Sequence, residues 1–411
     1  MTDLPISRRA LLAGAAGALG AGALQQQLAR LQQQTGTAVP PDPTKVPGAP
    51  TSVLGERSPF EHPRRVPMGG NQGVSLTPLQ DLCGIVTPAD LHFERHHAGV
   101  PAIDPQRYKL LIHGMVEHPM VFDLAALHRF PSVSALHFLE CSGNGSASYR
   151  NIRLELSPQL IDGLTSTSEW TGVPLATLFR EVDVKPGASW FLAEGDDAAV
   201  MARSIPIAKG WDDALIVYGQ NGEPLRPEQG YPARLLLPGW EGNTNVKWLR
   251  RIEVSDHPFM TREETSKYTD PLADGTARQF SFVMDAKSIV TFPAYPATLS
   301  GAGAWEITGI AWSGRGRITR VDISTDGGAR WAPAELQEPV LPRCHTRFRY
   351  LWNWDGSESM IMSRAVDETG YAQPTLAELR AARGIGTFYH FNHVRAWRVR
   401  HDGSVVFGLE G

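Results

Sequence analysis

From Trp305 to Leu336 the sequence, WEITGIAWSGRGRITRVDISTDGGARWAPAEL, alternates apolar and polar side chains. Only an extended strand turns that period into one apolar face. Val321, Ile323 and Thr325 fall on one side, and Asp326-Gly327-Gly328 provides a hairpin turn. YLWNWDG, SMIMSRAVDETG and VRAWRVRHDGSVVFGL continue the pattern to the end of the chain. Short strands at regular spacing with few helix signals predict a β-sandwich for the last third.

The preceding part reads differently. YKLLIHGMV (Tyr108 to Val116) and ARLLLPGW (Ala233 to Trp240) are apolar runs bounded by Gly or Pro, as buried strands should be. FDLAALHRF (Phe122 to Phe130) and VPLATLFREV (Val173 to Val182) place apolar residues at helical spacing. The mixture predicts an α+β domain. The polar stretch TDPLADGTAR, Thr269 to Arg278, marks the junction, giving domains at 46–275 and 276–411. A chain of 411 residues is long enough for both cores.

Residues 1–45 read as leader and linker. ISRRALLAGAAGALGAGAL sets Arg8 and Arg9 before an Ala- and Gly-rich run too short and weak to span a membrane, and resembles a twin-arginine export signal. Export in the folded state, often after cofactor insertion, to the periplasm is the expectation, and no later stretch reaches spanning length. The Gln-rich then Pro-rich segment behind it reads as a tether.

A net charge of -4 carries no basic footprint for nucleic acid. The three cysteines, Cys83, Cys141 and Cys344, form no Cys-x-x-Cys pair, which excludes a zinc ribbon and a haem attachment site. Cys83 and Cys344 read as unpaired structural thiols. No dinucleotide or phosphate-binding glycine loop, zincin motif or Gly-x-Ser-x-Gly is present.

Chemistry concentrates in three places. ALHFLECSGNG, Ala135 to Gly145, is a buried strand that breaks into a glycine turn at Cys141, open to a structural neighbour, a nucleophile's target or a metal. LHFERHHAGVP carries Arg95, His96 and His97 in a row. YPARLLLPGWEGNTNVKWLRRIEV holds Arg234 before a strand and Lys247 among large apolar residues, where a cation either snorkels or faces a buried anion.

Together, Cys141-Ser142-Gly143-Asn144, the Phe93-to-His97 run and Val246-Lys247-Trp248-Leu249 resemble the sulfite oxidase family of molybdenum enzymes. The resemblance covers about residues 50 to 411. It implies a molybdopterin domain followed by an immunoglobulin-like β-sandwich dimerisation domain, with Cys141 binding molybdenum. It implies Phe93, Glu94, Arg95, His96 and His97 as a loop around the pterin, with Arg95 and His97 nearest the metal. Arg234, Asn245, Val246 and Lys247 resemble the segment gripping the pterin and its phosphate, and Gln229 stands where a histidine is often found. Asp196 resembles the carboxylate that reads the pterin's amino edge, with Asp197 as the alternative. Tyr268, 20 residues after Trp248, matches the family's active-site tyrosine or is a tyrosine of the domain junction.

Two family arginines are missing. Five residues after the ligand cysteine stands Ser146, with Arg150 beyond, and His390, Asn392 or His393 takes the place of a second, near the end of the sandwich. A site short of two cations should hold free sulfite poorly, since each lost charged hydrogen bond costs about 1.5–3 kcal/mol. The motifs resemble the Sox-type branch of the family, the molybdenum subunits of sulfane dehydrogenases. That resemblance implies oxidation of protein-bound sulfane sulfur by oxygen-atom transfer from a Mo(VI) oxo group. Its partners would be a dihaem c-type cytochrome subunit taking the electrons and a carrier protein bearing sulfur on a cysteine, in a homodimer or α2β2 heterotetramer. Competing readings are a periplasmic sulfite dehydrogenase and a non-catalytic electron-transfer or assembly scaffold.

Overall fold

The computed structural model describes residues 45, 47–272 and 274–408; Arg8, Arg9 and most of the tether lie outside the described residues. The chain divides into two units, Met1–Glu61 and His62–Gly411. In the first, residues 47–61 are exposed.

Two five-stranded sheets build the first half of the second unit. In one, Val133–Glu140, Thr165–Pro174, Leu215–Gln220 and Glu223–Pro224 run in that order, with Arg234–Leu236 also pairing Leu215–Gln220. The other has the order Met120–Phe122, Leu110–Gly114, Leu249–Ser255, Trp190–Gly195, Ala202–Pro206. Leu110–Gly114 and Leu249–Ser255 are parallel neighbours with Ile112 opposite Ile252, and both side chains are fully buried. Both apolar runs read as strands therefore are strands, trimmed at their ends. Arg234–Leu236 stops before Pro238, which has no N–H to give a ladder.

The expected helices are present but differ in length. Leu175–Glu181 buries Leu175, Ala176, Leu178 and Phe179. The other is a single turn, Leu124–Leu127, capped by Asp123, whose carboxylate accepts from the Ala126 N–H at 2.7 Å. It is shorter than its apolar spacing predicts because Phe122 belongs to the strand Met120–Phe122 and Pro131 follows the run.

From Lys287 onward the chain forms two sheets. One has the order Lys287–Phe292, Gly303–Trp312, Thr346–Trp354, Glu335–Gln337; the other Ala332–Pro333, Ile318–Ser324, Ser359–Asp367, Arg395–Val399, Val405–Gly408. Trp312, Phe348, Ile361 and Trp397 fill the space between them, the two-layer arrangement expected from the alternation. Alternation fails at Asp322, buried beside Arg320 and Arg364, whose charges it pairs. The strand Val133–Glu140 abuts this sandwich: Phe138 N–H donates to Arg343 O, and Glu140 meets Lys287 and Trp312. The residue that follows Glu140 is Cys141.

Candidate active site

Where Val133–Glu140 ends, the Cys141 N–H donates to Leu164 O at 3.0 Å and its carbonyl accepts from Asn144 N–H at 2.9 Å, turning the chain. The thiol lies on the wall of a pocket that is partly open to solvent. Phe93, Arg95, His96, His97, Gln229, Arg234, Asn245, Val246, Lys247 and Tyr268 line it too. Ten of the residues singled out in sequence thus converge around the cysteine, from three segments far apart in the chain.

Two singled-out residues stay off the lining. Glu94 points behind it, pairing with Arg65 and with His96 Nε2 at 2.7 Å. Burial would raise its carboxyl, but the His96 hydrogen bond and the Arg65 charge hold it below the usual range. Asp196 is half exposed and paired with Arg250 at 3.2 Å. Its neighbour Asp197, the alternative, is buried on the lining, and its carboxylate accepts from Met201 N–H at 3.0 Å. Of the two carboxylates left open in sequence, Asp197 and not Asp196 reaches the lining: once the strand Trp190–Gly195 ends, period-two alternation no longer decides which side chain turns inward.

Gly145 adopts φ +91° and faces the sandwich: a Cβ there would lie 2.4 Å from Arg395 Nη2. On the cavity side, a Cβ on Gly143 would meet nothing nearer than Cys141 Sγ at 3.9 Å. Crowding at Gly145 is therefore against the second domain.

Electrostatics give the cavity its character. Arg234 is buried and donates to Gln229 O at 2.9 Å and Asn245 O at 3.0 Å, with Trp170 beneath its guanidinium. Lys247 Nζ donates to Glu228 O at 2.9 Å, Arg95 O at 3.1 Å and His96 Nδ1 at 2.9 Å. Among the described residues neither cation forms an ion pair with a carboxylate. Burial lowers Arg234 to about 9, and burial and then the Arg234 charge push Lys247 well below the usual lysine range. A buried guanidinium and a half-buried ammonium, satisfied only by neutral acceptors, form a seat for an anion.

On the same lining, His97 Nε2 and the Tyr268 hydroxyl share a 2.8 Å hydrogen bond. Burial, then the Arg95 charge, brings His97 down to about 3, so it stays neutral. Burial moves Tyr268 well above the usual phenol range and also raises the Cys141 thiol. Arg95 donates to Gln72 O at 3.1 Å and to His96 O. The remaining polar wall is tied into the scaffold: Gln229 donates to Phe93 O at 2.9 Å, and Asn245 Oδ1 accepts from Leu237 N–H at 2.6 Å.

The positions of the missing arginines are filled by neutral or distant groups. Ser146 begins the turn Ala147–Arg150, and Arg150 turns away to donate to Thr387 O at 2.6 Å. Of His390, Asn392 and His393, His390 comes nearest: its N–H donates to Ser142 O at 2.7 Å and its Nε2 lies 3.5 Å from Glu241. None of these lines the cavity. Sequence reading passed over His92 and Asn243, which do, and gave Trp248 of the Val246–Leu249 motif no role of its own. It also missed Tyr389, whose hydroxyl accepts from Tyr268 N–H at 3.1 Å. Asn243 lay inside the same GNTNV run and was findable there; nothing in the sequence linked Tyr389 to Tyr268.

Cys83, Cys141 and Cys344 are all free thiols. Among the described residues no group of three His, Cys, Asp or Glu could hold a metal by itself. The donor set is one soft thiol beside an anion seat, with His92 Nε2, Arg234 Nε and Asn243 Oδ1 buried and unpartnered at the cavity. A metal brought by an anionic organic ligand with polar edges fits that set.

Comparisons with known proteins agree. A family model described as oxidoreductase molybdopterin binding domain matches residues 97–263, and one described as Mo-co oxidoreductase dimerisation domain matches 278–396. Mitochondrial sulfite oxidase of Mus musculus is 29% identical over 82% of this chain and 66% of its own length, so this chain spans just under two thirds of that relative. Sulfite oxidase of Gallus gallus is 30% identical over 74% of this chain and 72% of its own. A nitrate reductase of Solanum lycopersicum is also 30% identical, over 37% of its length, so the scaffold alone does not name a substrate. The crystal structure of the sulfane dehydrogenase SoxCD from Paracoccus pantotrophus superposes with a TM-score of 0.85 at 44% identity, covering 90% of this chain and 99% of the matched one. The cofactor is molybdenum held by molybdopterin. The chain belongs to the sulfite oxidase family of molybdopterin oxidoreductases.

Proposed function

We propose that this protein oxidises sulfane sulfur carried on a protein cysteine and passes the electrons to a c-type cytochrome. The observation that carries the reading is the 44% identity with the sulfane dehydrogenase structure, against 30% with the chicken sulfite oxidase. The lining agrees with it. A small dianion such as sulfite needs converging cations, whereas Arg95, on the lining with the thiol, already donates to two carbonyls.

When bound, the molybdenum cofactor supplies two-electron oxygen-atom transfer to sulfur. Cys141 would hold the metal, and Arg234 and Lys247 would balance the pterin's phosphate. Asp197 would read its amino edge, and Gln229, Asn245 and Val246 would shape the wall around it. His97 is too weak a base to carry a proton at neutral pH. It orients the Tyr268 hydroxyl through their hydrogen bond, and that hydroxyl with Arg95 positions substrate or water.

The partners expected are a dihaem cytochrome subunit and the sulfur carrier, with the sandwich pairing two copies in a homodimer or α2β2 assembly. Among the described residues no helix is long and apolar enough to cross a membrane. The Arg8-Arg9 leader supports a periplasmic site of action.

The test is turnover by purified protein with a c-type cytochrome as acceptor, comparing sulfite with carrier-bound sulfane sulfur. Faster turnover of the carrier-bound sulfur is expected. Brisk sulfite turnover with none on the carrier would overturn the reading in favour of a sulfite dehydrogenase. Inactivity on both, with molybdenum present, would favour a non-catalytic scaffold.

A further inference from the structure

Glu140, the residue immediately before Cys141, is fully buried, and the second domain grips its carboxylate. Oε1 accepts from Lys287 Nζ at 2.5 Å and from Asn144 Nδ2 at 3.0 Å; Oε2 accepts from the indole N–H of Trp312 at 2.7 Å. Lys287 also donates to Asn144 O at 3.3 Å and lies 3.7 Å from Asp162, which pairs at 3.1 Å with Arg395. Lys287, Trp312 and Arg395 all stand on sandwich strands. Two carboxylates and two cations balance within this group.

A charge-balanced ion group in the interior contributes little net stability relative to an apolar filling, while removal of one member is costly. Its better-founded role is to fix geometry. Here the fixed groups lie on both sides of the thiol: Glu140 one peptide before it, Asn144 three residues after. Consecutive Cα atoms are about 3.8 Å apart, so displacement of Glu140 passes directly to Cys141.

We propose that Lys287 and Trp312 are positioning residues for the Cys141 sulfur. Through Glu140 the sandwich domain sets where the thiolate meets the metal, in addition to any part it plays in pairing subunits. Partners one step removed from a metal ligand commonly tune both affinity and orientation. The inference rests on Cys141 being the molybdenum ligand.

The experiment uses the full-length chain made without cofactor, and reads alkylation of Cys141 by iodoacetamide with exposed Cys83 as internal standard. Lys287→Met is expected to raise the Cys141 rate relative to Cys83 about tenfold by freeing the turn. Adding Glu140→Gln, which restores neutrality, should return it to within about twofold of wild type. Should Lys287→Met not fold, Trp312→Phe removes one hydrogen bond without touching charge, and an increase of about threefold is expected. An unchanged rate in Lys287→Met, or in Trp312→Phe, would overturn the inference, as would a double variant no nearer wild type than the single. Molybdenum analysis of the loaded wild-type protein separates the two levels. Metal present with unmoved rates removes this inference alone; metal absent removes the cofactor reading and the inference together.

Discussion

Tyr268 and His97, 171 positions apart, meet through a 2.8 Å hydrogen bond on the wall of the Cys141 cavity. Tyr268 holds a left-handed backbone, φ +51°, with its N–H donated to the Tyr389 hydroxyl and its ring 5.2 Å from the Arg203 guanidinium. A non-glycine residue persists there only when its surroundings fix it. Phenol and imidazole are thus aimed by the scaffold.

Tyr268→Phe leaves His97 Nε2 buried without a partner while retaining the ring. Turnover should fall by about a hundredfold, the low end of what a positioned proton-bearing group contributes. Steady-state kinetics check this, with a thermal melt showing that the fold survives.

Stability should depend on pH through buried histidines. Burial pushes His345 down to about 3, against about 6.5 in an unfolded chain. Below that unfolded value the denatured chain binds a proton that the folded one refuses, so this contribution is complete above pH 6.5 and is lost as pH falls toward 3. The loss amounts to about 2 kcal/mol by pH 5. His345→Gln should flatten the dependence, measured as thermal midpoint between pH 7.5 and about 5.

Lys247→Met removes one of the two cavity cations that have no carboxylate partner among the described residues. Pterin content of the purified protein, read by fluorescence of its oxidised form, should drop by about tenfold or more. Asp197→Asn should lower it as well, while Asp196→Asn, changing an exposed partner of Arg250, should leave it within about twofold of wild type.

Much of this was legible in the sequence because it is local. Val321 and Ile323 alternate with polar neighbours and reveal a strand; Cys141 follows an apolar run and precedes glycines. Arg234 and Lys247 stood out as charges in apolar company; Arg234 is buried and Lys247 half-buried on the cavity wall. The remainder depends on contacts that period and propensity do not encode. Asp197 rather than Asp196 lines the cavity, just past the strand end at Gly195. Lys287, an ordinary cation at a strand start, reaches across 147 positions to Glu140. Gly145 is required by Arg395 of the other domain.

The central claim is that the Cys141 sulfur binds molybdenum, and X-ray absorption at the molybdenum edge addresses it directly. Loaded Cys141→Ser protein should show one sulfur neighbour fewer than wild type at the same metal content. An unchanged sulfur count in that variant would contradict the account.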